Sequence, residues 1–266
     1  MLSKRIPTIL PDLTFNEALE ITKIHSIVES LPANMPIIAN RPFRAPHHTI
    51  STTSLVGGGI NPKPGEISLA HNGVLFLDEL PEFNRKTLEV MRGPLEDKKI
   101  TISRLNASLT YPCNFMLVAS MNPCPCGFCG SEEKQCTCTP EAISKYISKI
   151  SGPLLKDNQM PETSREIKQR VNQARKIQQE RYKKCGIYSN AELTQKLVNE
   201  YCKIDNETSN LLEKAFNKLG FSARTYSRIL KVARTIADLD NKENIEIKHV
   251  AEAIQYRNLD KKYWKN

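Results

Sequence analysis

The stretch Asn72-Gly-Val-Leu-Phe-Leu-Asp-Glu-Leu80 decides the fold of this chain. Val74–Leu77 is an uninterrupted apolar run, which is typical of a strand buried on both faces of a parallel sheet. Asp78 and Glu79 follow where that strand leaves the sheet, at the edge where open α/β sheets bind ligands. At this position the first acid can hold Mg²⁺, and the second can polarise water as a general base. The alternative interpretation is a core strand followed by a solvated turn.

A second buried strand is predicted over Phe115–Ala119, and Asn122 follows it. If the two strands are neighbours, Asn122 lies at the same sheet edge as Asp78. A neutral amide there can orient a water molecule or a γ-phosphate. An ordinary strand-ending Asn is the alternative. Between the two strands, Lys99–Tyr111 alternates with a period of two on both sides of a short turn and predicts a β-hairpin.

The segment before these strands is rich in proline and glycine, which predicts loops. Its basic side chains are candidates to meet phosphate, of a nucleotide or of DNA: Arg41, Arg44, His47, His48 and Lys63. The adjacent histidines also suggest a metal, although on a strand they would point apart. Gly57–Gly59 lacks the Gly-Lys-Ser/Thr ending of a P-loop, so we interpret it as a flexible turn.

Helices are predicted at both ends of the chain. Thr14–Glu17 and Thr163–Glu166 fit capping boxes, and the first helix has an apolar face of Ala18, Leu19, Ile21 and Ile24. Helical spacing continues to the carboxyl end, with Ser222 as a cap and with Ile229, Val232 and Ile236 facing inward. The predicted division is an α/β domain over residues 1–155 and a helical domain over residues 156–266.

Composition fits a globular protein, with 39% hydrophobic and 25% charged residues among 266. No apolar run is long enough for a membrane span, and the amino terminus lacks a signal core, so we expect a cytoplasmic protein without membrane partners. Up to Leu155 the chain has 15 Lys+Arg against 14 Asp+Glu, and from Lys156 onward it has 23 against 15. The basic second segment is compatible with nucleic acid, and solvated helix faces are the alternative.

The cysteines are unevenly distributed. There are eight, and five of them lie between Cys124 and Cys138. In the cytoplasm they would be reduced, so a disulfide framework is not expected. Four thiolates from Cys124, Cys126, Cys136 and Cys138 could surround Zn²⁺, with Cys129 the least expected ligand. Reduced structural thiols in a rigid loop are the alternative.

Taken together, four long strings resemble the Mg-chelatase-like AAA+ ATPases of the ComM (YifB) family. They are Arg41–His48, Gly57–Leu80, Asn114–Gly127 with its Asn-Pro-Cys-Pro-Cys-Gly, and Phe221–Leu239. The resemblance covers almost the whole chain. It implies an α/β fold: an incomplete P-loop-type parallel sheet followed by an all-helical lid domain. It also implies ATP and Mg²⁺ as cofactors, DNA as a partner and a homo-oligomeric, hexameric ring, as in ATP-driven motors that assist branch migration during natural transformation.

The resemblance also assigns roles to residues. Asp78 and Glu79 correspond to the Walker B pair, Asn122 to sensor 1 and Arg224 to the sensor 2 arginine. The hairpin corresponds to the pre-sensor hairpin, with Lys99 and Arg104 as candidate DNA contacts. Arg224 falls in the first turn of its predicted helix, where a cation opposes the helix dipole, which suggests a phosphate contact.

Two departures from the family pattern limit the expected activity. The family's P-loop would end just before Met1. The expected Asp-Arg-Ile-Asp after Ser151–Leu155 is replaced by other residues, so the arginine finger that would reach a neighbour's γ-phosphate is absent from the sequence. We therefore expect weak or absent ATP hydrolysis by this chain alone, with a separate chain as a possible source of the P-loop. The alternatives are a non-catalytic DNA-binding or assembly subunit, a metal-chelatase motor subunit, and a gene remnant that folds poorly.

Overall fold

The computed structural model describes residues 3–28, 36–59, 61–104, 107–129, 134–147, 163–219 and 223–262. The chain divides into two compact units, Met1–Ile150 and Ser151–Asn266. The described elements of the first unit are helices and strands, and those of the second unit are helices. The chain is thus a mixed α/β protein with a small parallel sheet and many helices.

The strands form three small sheets. Their bounds are β1 Phe43–Arg44, β2 Gly57–Gly58, β3 Lys63–Pro64, β4 Val74–Leu77, β5 Lys99–Arg104, β6 Ala107–Pro112 and β7 Met116–Ala119. The first sheet is parallel with the order β1-β4-β7. The pairs β2-β3 and β5-β6 are antiparallel. The predicted hairpin is confirmed as β5-β6.

The helices follow the capping signals of the sequence. In the first unit they are α1 Ile6–Ile9, α2 Phe15–Ile27, α3 Thr52–Val56, α4 Glu66–Leu69, α5 Arg85–Glu89, α6 Arg92–Asp97 and α7 Pro140–Ile147. In the second unit they are α8 Ser164–Arg181, α9 Gln195–Tyr201, α10 Asn206–Leu219, α11 Ala223–Leu239 and α12 Ile247–Lys262. Short 3₁₀ turns occur at Ser3–Arg5, Leu80–Glu82 and Asn190–Glu192. Both predicted capping boxes, at Thr14 and Thr163, are confirmed.

The apolar run Val74–Leu77 forms the central strand of the parallel sheet, as predicted, and Val74, Leu75 and Leu77 are fully buried. The prediction that β7 is also buried is wrong. Met116 is 45% exposed and Leu117 is 36% exposed. The reason is topological, because β7 is an edge strand of the three-stranded sheet and β4 is the middle one.

The inner face of the β5-β6 hairpin packs into the core of the first unit through Ile100, Ile102 and Tyr111. This packing explains the glycines of β2. Gly57 has φ +108°, and a Cβ there would lie 2.6 Å from Ile102 Cδ1 and 2.5 Å from the Lys63 carbonyl oxygen. Gly57–Gly58 is therefore a closely packed, paired segment. The flexible turn predicted over Gly57–Gly59 is wrong for these two glycines, whereas Gly59 does lie in a turn.

Two predicted helix faces need correction. In α2, Ala18, Ile21 and Ile24 are buried, whereas Leu19 is 37% exposed. In α11, the buried stripe runs through Ile229, Leu230, Ala233 and Ala237, and Val232 is 41% exposed. An apolar residue one step away from a buried residue is rotated by about 100°, enough to leave the buried stripe. The predicted cap Ser222 lies outside the described residues.

The second unit is organised around a buried carboxylate that sequence analysis did not single out. Asp238 of α11 is 1% exposed and accepts hydrogen bonds from four side chains: Gln178 (3.2 Å), Arg181 (2.6 and 3.0 Å), Asn190 (2.8 Å) and Arg234 (3.1 Å). Arg234 also donates to the carbonyl oxygens of Lys242 and Glu243. This network connects α8 and the 3₁₀ turn Asn190–Glu192 to α11. It lies beside an apolar core that includes Tyr182 and Leu212.

Among the described helices, none combines the length and the apolar character that crossing a membrane requires.

Candidate functional site

Asp78 lies at the carboxyl end of β4, beside Ser120 at the end of β7. The β4-β7 register pairs Leu77 with Ala119, and backbone hydrogen bonds continue past both strands. Ser120 N–H donates to the Leu77 carbonyl at 3.0 Å, and Leu80 N–H donates to the Ser120 carbonyl at 2.9 Å. The Ser120 hydroxyl donates to Asp78 Oδ1. The sheet therefore fixes the direction of an exposed carboxylate.

Glu79 continues from Asp78 with a reversed backbone. Its φ and ψ are 52° and 52°, in the left-handed region that non-glycine residues adopt at a cost of about 1 kcal/mol or more. Its N–H donates to Asp78 Oδ1 at 3.2 Å, which further orients that acid. Its own carboxylate is 53% exposed and lies 3.8 Å from His48 Nδ1. This leaves two adjacent acids at the sheet edge, with an imidazole beside the second one.

Ser120 is the site residue that sequence reasoning missed. A signal was present, because aligning the two apolar runs places the first polar residue after each strand side by side. Asn122 lies two residues further along and is exposed. The buried Tyr146 of α7 forms a hydrogen bond with the backbone of Asn122. Burial raises the pKa of this phenol, and the nearby Glu82 and Glu79 carboxylates add to the rise.

The basic residues before β4 have internal partners, which argues against Arg41 and Arg44 as phosphate contacts. Arg41 donates to the Pro11 and Asn72 carbonyls at 2.5 and 2.6 Å. Arg44 forms a two-point pair with Glu66, at 2.6 and 2.7 Å, which raises the Arg44 pKa. Both guanidiniums therefore stabilise loops of the first unit.

The adjacent histidines do not point apart, because β1 ends at Arg44 and they lie beyond it. The rings of His47 and His48 lie 4.0 Å apart, centroid to centroid, and the ring of His48 meets Phe83 edge-on. His47 also contacts the Thr49 hydroxyl. Lys63 is exposed on β3. Of the phosphate candidates in this segment, His48 is the one that the structure brings to the acid pair.

A third histidine, His71, stabilises the loop that leads into β4. His71 Nδ1 accepts the Asn114 N–H at 3.0 Å, so Nε2 carries the proton and donates to Glu20 Oε2 at 3.1 Å. His71 is 4% exposed, and burial lowers its pKa even though Glu20 acts in the opposite direction. The neutral ring therefore joins the loop before β7 to the loop before β4, which fixes the sheet edge opposite the acid pair.

The remaining predicted site residues lie on regular elements. Lys99 is the exposed first residue of β5, and Arg104 is the last residue of that strand. The exposed face of the hairpin carries hydroxyls that pair across the strands, Thr101 with Thr110 at 2.9 Å and Ser103 with Ser108 at 3.1 Å. Arg224 is the second residue of α11, in the second unit. The Ser151–Leu155 segment lies outside the described residues.

The four predicted metal ligands lie together, in the segment that joins β7 to α7. The Sγ atoms of Cys124, Cys126, Cys136 and Cys138 all lie within 4.8 Å of one another. Cys129 is exposed and outside this group, as predicted, although its N–H donates to Cys124 Sγ at 3.3 Å. Backbone hydrogen bonds from Phe128 and Thr137 lower the pKa of Cys126 to about 6.

Comparison with known proteins agrees with the architecture. The family described as magnesium chelatase, subunit ChlI, matches residues 1–171, and its C-terminal family matches residues 161–257. The competence protein ComM of Haemophilus influenzae is 45% identical over 97% of this chain and 53% of its own length. YifB of Escherichia coli is 44% identical over 98% and 54%. A protein of Mycobacterium bovis is 36% identical over 97% and 54%.

This chain thus spans about half the length of the curated relatives it matches. The two family matches together cover nearly all of it, including the β4 acid pair, the cysteine cluster and the helices of the second unit. The chain belongs to the Mg-chelatase-like family of AAA+ proteins, to which ComM and YifB also belong.

Proposed function

We propose that this chain supplies the acid-bearing half of an ATP·Mg²⁺ site in a Mg-chelatase-like AAA+ ATPase. The observation that carries the proposal is the oriented acid at the β4 edge. Asp78 receives hydrogen bonds from Ser120 and from the Glu79 backbone, and both acids are exposed. Family membership supports ATP and Mg²⁺ as the ligands.

In this proposal Asp78 would hold Mg²⁺, which when bound would supply positive charge beside the triphosphate. Asp78 is a suitable ligand for Mg²⁺, because an exposed carboxylate can bind a hard cation that keeps several of its water ligands. Glu79 accepts the proton of the attacking water, and His48 lies 3.8 Å from its carboxylate. Asn122 orients that water or the γ-phosphate. Arg224 is proposed as the sensor 2 residue on the resemblance of Phe221–Leu239 to the family alone.

We further propose that another segment completes the site. The 266-residue sequence contains no Gly-x-x-x-x-Gly-Lys-Ser/Thr string, which would provide the N–H cradle and the lysine for the triphosphate. Met116 and Leu117 are exposed at an edge of the parallel sheet. A P-loop strand pairing with β7 would cover them, either within a longer protein or from a separate chain. The greater length of the relatives supports this proposal.

ATP turnover tests the proposed division of the site. The chain alone is expected to hydrolyse ATP weakly or not at all, because the sequence lacks both the P-loop string and the family's Asp-Arg-Ile-Asp string with its arginine finger. Arginine fingers contribute several orders of magnitude in rate. Addition of a P-loop-bearing segment of a relative should raise turnover, and Glu79→Gln should abolish the gain. Glu89→Gln, a change on the exposed α5, is the matched control. Turnover by the chain alone at the rate of an intact relative, lost in Glu79→Gln, would contradict the proposal.

DNA is the proposed substrate of the assembled ATPase. One relative is named a competence protein, which supports a role in competence. Branch migration during natural transformation is the specific role that we propose from the resemblance to the ComM (YifB) family. Lys99 and Arg104 are the first and last residues of β5, and the β5-β6 hairpin has a hydroxyl-lined face. Residues 156–266 carry +8 of the +9 formal charge. A hexameric ring in the cytoplasm is part of this proposal. Forked DNA should bind with a steep salt dependence, and Lys99→Glu with Arg104→Glu should weaken binding.

The second candidate is a non-catalytic DNA-binding or assembly subunit, and the basic helical segment favours it. The affinity for DNA, measured with and without ATP and the P-loop segment, distinguishes the two candidates. A motor should bind DNA more tightly when ATP and the P-loop segment are present, whereas a non-catalytic subunit should bind DNA equally well without them. A metal-chelatase motor, acting on a tetrapyrrole, would instead show no response to DNA.

A further inference from the structure

We propose that Cys124, Cys126, Cys136 and Cys138 form a structural Zn²⁺ site that holds the segment after β7 in place. The spacing of the sulfur atoms carries this assignment. Three Sγ···Sγ distances are 3.3 Å (Cys124–Cys126), 3.6 Å (Cys126–Cys136) and 3.7 Å (Cys124–Cys136). A tetrahedron with Zn–S bonds of about 2.3 Å has edges of about 3.8 Å. The thiols therefore converge at the spacing that one zinc ion requires.

A disulfide and an iron–sulfur cluster both fit these four sulfur atoms less well than zinc does. A disulfide needs an S–S distance of about 2.05 Å, and the shortest of the three distances is 3.3 Å. All four cysteines are free, and four donors converge where a disulfide would use two. A multi-iron cluster distributes its thiolates over different iron atoms, whereas here all four lie within 4.8 Å. A single tetrahedral ion satisfies all four at once.

The surroundings are those of a closed, structural site. Four sulfur ligands fill the coordination sphere of Zn²⁺, which leaves no position for a substrate. Cys124 is fully buried, and its sulfur accepts the Cys129 N–H at 3.3 Å. Such N–H···S hydrogen bonds fix the orientation of a ligand and offset the negative charge of a tetrathiolate site. The exposed Cys129 thus contributes its backbone, and its own thiol lies outside the cluster.

The ion would join the exit of β7 to the start of α7. Cys124 follows Asn122 by two residues, and Cys138 precedes the first residue of α7, Pro140, by two. Thr139 caps this helix, since its hydroxyl accepts the Ala142 N–H at 3.2 Å. Tyr146 then returns from α7 to the backbone of Asn122. The zinc site and Tyr146 therefore close a loop around Asn122, and the functional value of this loop rests on the proposed ATP site.

Metal content tests the site directly. The chain purified without chelator should carry about one zinc ion, measured by elemental analysis. Cys136→Ser and Cys138→Ser should lose it, whereas the matched control Cys129→Ser should retain it. Cobalt added to the zinc-free wild-type chain should give the intense visible and thiolate charge-transfer bands of a tetrahedral sulfur site, and this readout remains available if a variant fails to fold.

Three results would overturn the site: no metal in a folded chain that also binds no cobalt, iron in place of zinc, or metal lost equally in Cys129→Ser.

The positioning step, in which zinc holds the segment between β7 and α7 in place, is tested separately by amide hydrogen exchange. Removal of zinc should speed exchange in residues 122–128 and in α7, with β5-β6 unchanged. Unchanged exchange in a chain that binds zinc would overturn the positioning step alone. Failure of ATP binding would leave the zinc assignment standing.

Discussion

Asp78 and Asp238 are acids at opposite extremes of solvation. Asp238 is buried among four donor side chains, two of them arginines, whereas Asp78 is exposed and receives a hydroxyl and a backbone N–H. Among the described residues, the ion pairs include Asp238 twice and leave Asp78 without a cation. A saturated buried acid stabilises a fold. An oriented, exposed acid without a protein cation can bind a metal ion.

The largest expected effect comes from removing the buried acid. Asp238→Ala leaves Arg181 and Arg234 facing one another without their counter-charge, and we expect a loss of about 3–5 kcal/mol in the free energy of unfolding. Asp78→Ala should change it by about 0.5 kcal/mol or less, as is usual for exposed sites. Urea unfolding followed by circular dichroism measures both. Equal stability of the two variants would remove the distinction drawn between these acids.

Acidification should destabilise the chain through two buried histidines of the first unit, His71 and His25. His25 lies in α2, with its Nε2 atom 3.0 Å from the Leu69 carbonyl oxygen. Burial lowers the folded-state pKa of His71 and of His25 below the unfolded value of about 6.5. Protonation then favours the unfolded chain, so the stability present above pH 6.5 declines as the pH falls below it, toward the folded pKa values. Melting temperatures between pH 7.5 and 5.5 should show this decline.

His71→Gln should flatten that dependence, whereas His47→Gln, at an exposed position, should leave it unchanged. An identical pH slope in the His71 variant and the wild type would show that this ring does not limit stability at low pH.

A small change in stability is expected to accompany a functional change at Ser120. Ser120→Ala removes the hydroxyl that orients Asp78 and should cost about 1 kcal/mol or less, because the site is exposed to water. The affinity for Mn²⁺·ATP should nevertheless fall several-fold, since the carboxylate loses its orientation. Ser103→Ala, which removes a hydroxyl from the exposed face of the hairpin, is the control and should leave affinity unchanged. Equal affinity in both variants would exclude an orienting role for Ser120.

Features that depend on residues close together in the sequence could be predicted. The strand Val74–Leu77, the β5-β6 hairpin and both capping boxes depend on neighbours within a few residues, so periodicity and cap chemistry specify them. The proximity of four cysteines could likewise be predicted, because it depends on a short loop.

Features that depend on distant partners could not be predicted. Arg44 meets Glu66 across 22 residues, and Asp238 meets Arg181 across 57. The Ser120–Asp78 contact depends on strand register, which an apolar pattern alone leaves open. The exposure of β7 depends on which strands flank it, and hydrophobicity carries no information about that.

The most direct test of the proposed half-site is paramagnetic broadening by Mn²⁺·ATP, which detects weak binding. In the isotope-labelled chain, the amide resonances of Leu80 and Ser120 should broaden more with Mn²⁺·ATP than those of the second-unit core. The broadening should disappear in Asp78→Ala and persist in Asp97→Ala, an exposed acid at the end of α6. Broadening that survives Asp78→Ala, or its absence from a folded wild-type chain, would contradict the assignment of this sheet edge as a nucleotide site.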